Sequence, residues 1–161
     1  MNGSCFLSYQ EWSDLELRVT RSLFSEAVSN QELFVRKLVN ATVIHNQCFE
    51  HTSHESDHGG NHVIYMKPFG ADELPIYGAR LQEALFDYCD VSPALSMDCC
   101  YWEHDRFVRG TAIRMEHEPL KIAGLLLDHY LVQYEQTYEN VYSVFDRDRR
   151  KVILFLKGVE L

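Results

Sequence analysis

The sequence predicts a single α+β domain over residues 1–161, an antiparallel sheet built from hairpins and covered by about four helices. Three observations carry this: two helix-capping boxes near the start, β-branched or alternating runs bounded by turn residues after Asn40, and apolar repeats at helical spacing between those runs.

Ser8-Tyr-Gln-Glu11 has the form of a capping box, in which the serine accepts from a backbone N–H and the glutamate reaches back. Trp12, Leu15, Val19, Leu23 and Ala27 follow at spacings of three and four, which predicts a helix over 9–28. Ser29-Asn-Gln-Glu32 repeats the box, and Phe34, Val35, Leu38 and Val39 predict a second helix over 30–39. Thr42-Val-Ile44 then opens β-branched chemistry, so 41–50 and 62–67 predict a hairpin with a long loop, Gly59-Gly60 supplying positive φ and Pro68 ending the second strand. Ala79, Leu81, Leu85, Phe86 and Cys89 mark a helix over 77–90, closed by Ser92-Pro93.

A second hairpin, 97–103 with 106–116, flanks His104-Asp105. Pro119 fits a first helical position, and Leu120, Ile122, Ala123, Leu126, Leu127, Tyr130 and Leu131 carry a helix over 119–136. Residues 138–145 either prolong that helix or form a strand; the alternation of Val141, Ser143 and Phe145 favours a strand, paired with 151–157 in a third hairpin. Helices and hairpins thus alternate along the chain, with no repeat in the residues to match.

Charge narrows the function classes. Residues 47–105 hold eleven acids against two bases, while 1–46 and 106–161 are near balance at −1 and +1, so the whole net charge of −9 sits in the middle third. Nonspecific nucleic-acid binding, which needs many Lys and Arg contacts to phosphate, is disfavoured. The N-terminus lacks a basic start followed by an apolar run, and no apolar stretch of about 18 residues occurs, so the sequence reads as soluble and cytoplasmic, away from the membrane. Five cysteines at irregular spacing fit reduced thiols rather than a disulfide framework.

Cys48, His51, His54, His58 and His62 crowd into fifteen residues and are ligand types that zinc takes four at a time. Their spacing matches no standard metal motif, so they read first as a polar, acidic loop and second as a zinc site. His51-Thr-Ser53 and His54-Glu-Ser56 have the His-x-Ser form of phosphodiesterases but are adjacent, where two facing motifs are needed. No GxSxG, P-loop or GxGxxG occurs, and Cys99 or Cys100 near His104 sits in acidic surroundings that disfavour a thiolate.

The sequence therefore leans away from an enzyme. It favours an acidic protein-binding module of the immunity, antitoxin or inhibitor kind, needing no cofactor and capturing a basic protein partner. Candidate contacts are Glu50, Asp57, Asp72, Glu73, Trp102, Tyr134, Glu135, Tyr138 and Glu139, acids for steering and aromatics for anchoring. A metal-dependent hydrolase or metal-binding regulator built on 48–62 is the second expectation.

Overall fold

The computed structural model describes residues 3–87, 90–110 and 116–160. Strands β1 (Ser4–Ser13) and β2 (Arg18–Ser29) lead into helix α1 (Asn30–Leu38), followed by β3 (Ala41–Ile44), β4 (Gln47–Ser56) and β5 (Asn61–Pro68). A 3-10 turn at Ala71–Glu73 and helix α2 (Gly78–Phe86) connect to β6 (Ser96–Glu103) and β7 (Arg106–Gly110). Helix α3 (Pro119–Leu127), β8 (Tyr130–Gln133), β9 (Gln136–Asp146) and β10 (Lys151–Val159) complete the chain.

The ten strands of the described residues form one sheet in the order β2-β1-β5-β4-β3-β9-β10-β6-β7, with β8 also on β9. The class is α+β as expected, but the sheet is mixed, because β1/β5, β3/β9 and β6/β10 pair in parallel. The first expected helix, 9–28, is instead the β1–β2 hairpin. Val19, Leu23 and Ala27 are four residues apart, a spacing that suits a regular strand as well as a helix, although β2 is bulged at Thr20 and Leu23, and Leu15 lies 94% exposed outside both strands. The second expectation holds: Ser29 accepts from the Glu32 amide at 3.1 Å and α1 starts at Asn30.

The 41–50/62–67 hairpin is three strands. His45 and Asn46, both at positive φ, turn β3 tightly into β4, and β4 runs on through His51 and His54, leaving only 57–60 as loop. Asp57 closes that loop by accepting from the Gly59 and Asn61 amides, and Gly60 takes φ 81°. The helix expected over 77–90 spans Gly78–Phe86, with 88–89 outside the described residues. The helix expected over 119–136 stops at Leu127, since Tyr134 and Glu135 form another positive-φ turn joining β8 to β9. The other two hairpins form, the first running to Gly110 with 111–115 outside the described residues, and 138–145 is strand.

A structural repeat emerges that residue patterns concealed. Strand–strand–helix–strand–strand–strand occurs twice, with strand orders β2-β1-β5-β4-β3 and β7-β6-β10-β9-β8. One offset of 89 residues (119 minus 30, 134 minus 45) superposes the helix starts and the positive-φ turns. The same offset maps the β-bulge at Thr52 onto that at Val141 and the bond His51 N–H to Asn40 O onto Asn140 N–H to His129 O, both 2.9 Å. Between β1 and β6 and between β5 and β10 the offset is 90, and the cross-strand pair Glu50/Lys67 maps onto Glu139/Lys157. The chain's two tryptophans, Trp12 and Trp102, also correspond.

Helices α1 and α3 pack side by side on one face of the sheet, where Val35, Val39 and Ile122 join one core with Met97, Leu154 and Leu156. Helix α2 covers the other face, but only over the second half and the sheet centre, where Leu81 and Leu85 meet Cys100, Phe107, Ile153 and Phe155. The residues follow their cover. Cys100, Val144, Ile153 and Phe155, buried beneath α2, correspond to Gln10, Glu55, Val63 and Tyr65, which lie half-buried or exposed in the first half.

Candidate functional site

On the α1 face, the two halves differ in a way that cover does not explain. Cys5, Lys37, Thr42, His51, His54 and His62 stand where the second half has Leu95, Leu126, Leu131, Asn140, Ser143 and Val152. Four of those counterparts pack in the core beneath α1 and α3. The first half thus replaces part of a hydrophobic core with a polar cluster, a local conflict of the kind that marks functional sites.

The cluster is connected. Thr42 Oγ1, on buried β3, lies 2.7 Å from His51 Nε2, and His51 Nδ1 lies 3.3 Å from His54 Nε2 on the same strand. The bulge at Thr52 turns His54 to the side that His51 occupies, and the rings meet edge to face at 5.4 Å. From the end of α1, Lys37 Nζ donates to His62 Nδ1 at 2.8 Å across the helix–sheet boundary. Cys5 on β1 interacts electrostatically with Lys37. His54 is exposed and Cys5, Lys37 and His62 are half-buried, so the cluster opens to solvent.

Burial, aided by His54, pushes the His51 imidazole down to about 3 from an ordinary 6.5. Burial and then Lys37 lower His54 and His62 as well, which keeps these rings neutral near pH 7. His51 stays neutral when folded but takes a proton below 6.5 when unfolded, so its contribution is full above pH 6.5 and is lost as pH falls toward 3. With chelator present, urea titrations should show wild type losing up to roughly 3 kcal/mol more than His51→Asn between neutral pH and about pH 4. Equal losses would show that His51 protonates as readily in the folded chain.

Of the five residues expected to bind metal, Cys48 is buried on the opposite sheet face, in the α2 core, where burial pushes its thiol up to about 12. His58 lies in the 57–60 turn, and only His51 and His54 converge. Among the described residues, no group of three or more His, Cys, Asp or Glu is placed to hold an ion. Cys99 and Cys100 are buried thiols, pushed up to about 12 and about 11 by burial first.

The expected partner contacts do not form one patch. Glu50 and Glu73 gather round Lys67, at 3.2 and 3.5 Å, with Glu50 raised by burial and by its hydrogen bond with Glu73. Asp72 is in the neighbouring 3-10 turn, and Asp57 closes the β4–β5 loop. Trp102 packs edge-on against Tyr77 and Phe107 under α2, and Tyr138 against Tyr101. Tyr134, Glu135 and Glu139 are exposed together on the β8–β9 hairpin, beside Tyr130 and Val132.

Charge patterning missed a second surface. Helix α3, Pro-Leu-Lys-Ile-Ala-Gly-Leu-Leu-Leu, is apolar on nearly every side yet lies on the outside, with Leu120 56% and Leu127 65% exposed. Its neighbour α1 exposes Phe34. Among the described residues, no helix is long and apolar enough to cross a membrane.

No protein-family model, curated protein or solved structure matches this chain.

Proposed function

We propose that the chain is a protein-binding module that docks a basic partner on the exposed side of α3. The observation that supports this is the helix itself, since a helix apolar all round is normally covered. Glu116, Glu118 and Asp128 flank it, and its one base, Lys121, is paired with Glu118. Acids at the rim draw a Lys- and Arg-bearing surface and set the association rate, while Leu120 and Leu127 bury against the partner's apolar centre. Inhibition of a basic protein, as by immunity and antitoxin proteins, is the activity this suits.

The test compares wild type with Leu120→Asp/Leu127→Asp as bait in lysate from the source organism, at low and high salt. The double substitution touches only exposed positions, so the fold should survive. A basic protein held by wild type at low salt, and lost both at high salt and from the double variant, is the expected result. Retention of the same proteins by both baits would refute the assignment.

A further inference from the structure

We propose that His51 and His54 form a two-imidazole chelate for a divalent transition metal of the zinc or nickel kind, with water filling the remaining positions. Two ring nitrogens on one tetrahedral ion, with bonds of about 2.05 Å, stand about 3.3 Å apart. His51 Nδ1 and His54 Nε2 are separated by 3.3 Å.

Orientation supports the same conclusion. When His51 donates its Nε2 proton to Thr42 Oγ1, the Nδ1 lone pair points at His54, and the buried threonine fixes ring and tautomer as outer partners of metal-bound histidines do. Without metal, a proton on His54 Nε2 fills the gap between the rings; with metal, the neutral His54 ring carries its proton on Nδ1 instead, gained from solvent as the Nε2 proton is given up to solvent, and both facing nitrogens are free to hold the ion. Loading therefore needs no rearrangement of the strand, and exposed His54 gives an entry path. The counterparts Asn140 and Ser143 show that the same bulged strand folds without either imidazole.

This last point supplies the variant. Full-length protein without a histidine tag, stripped with chelator, is titrated with Zn2+ alone and with Ni2+ alone by calorimetry. Wild type should bind one equivalent, and His51→Asn/His54→Ser, which installs the second half's own residues, should lose it while keeping its unfolding midpoint. His58→Ala/His104→Ala should bind as wild type does. Imidazole NMR provides a readout that does not depend on the variant folding: His51 and His54 signals should move first on adding Zn2+. No saturable binding by wild type, undiminished binding by His51→Asn/His54→Ser, or zinc shifts confined to other histidines would overturn the proposal.

Discussion

Phe155→Ala should destabilise the fold by about 3–5 kcal/mol, and Tyr65→Ala, at the matching position of the other half, by only about 1–2 kcal/mol. Both residues stand on the last strand of their half, opposite the residue that follows the bulge. Phe155 is fully buried beneath α2 and meets Phe107 with ring centres at 4.9 Å. Truncation there removes the transfer energy of a whole ring and leaves a cavity among Leu81, Cys100 and Phe107, held rigidly by helix and sheet. Tyr65 has no helix above it; it rests edge-on against Trp12 and donates to Glu55 at 2.9 Å, so water fills the space its ring vacates. Urea unfolding of the two variants checks the difference. Equal costs would mean that α2 does not set the packing of the sheet face it covers.

Elements marked by a helix-start residue or by an unbroken apolar run were the legible ones. The Ser29 cap, Pro119 at the first turn of α3 and the apolar run Val152–Leu156 each predicted what formed, because capping geometry and continuous burial leave few alternatives. The β1–β2 hairpin was not legible: residues four apart satisfy both periods, and Ser8–Glu11 mimicked a cap within a strand. Tyr130, Tyr134, Tyr138 and Tyr142 likewise recur every four residues, yet they occupy two strands and the turn between them.

The repeat has a residue signature, but a thin one. Val63-Ile-Tyr-Met-Lys67 corresponds to Ile153-Leu-Phe-Leu-Lys157, and Trp12 to Trp102. Elsewhere α2 and the polar cluster impose opposite demands on matching positions, such as Val144 for Glu55 and Val152 for His62, and this erases the likeness. Within the histidine stretch, His51 and His54 could be told from His58 and Cys48 only once β4 was seen to run through them with a bulge. The crowding of these residue types in sequence carried no information about which sheet face each side chain takes.

The fold holds two copies of one scaffold, of which the second is packed and the first is opened into a polar cluster at core positions. Lys37→Leu/His62→Val tests it most directly, since it removes the Lys37–His62 hydrogen bond and installs the residues that fill the matching core positions, Leu126 and Val152. Replacing a partly buried polar pair by apolar groups of suitable shape is commonly neutral or stabilising, and here should raise stability by about 1–3 kcal/mol in urea unfolding. A loss of stability of similar size would contradict the account, showing that these positions are not a core that the first half has given up.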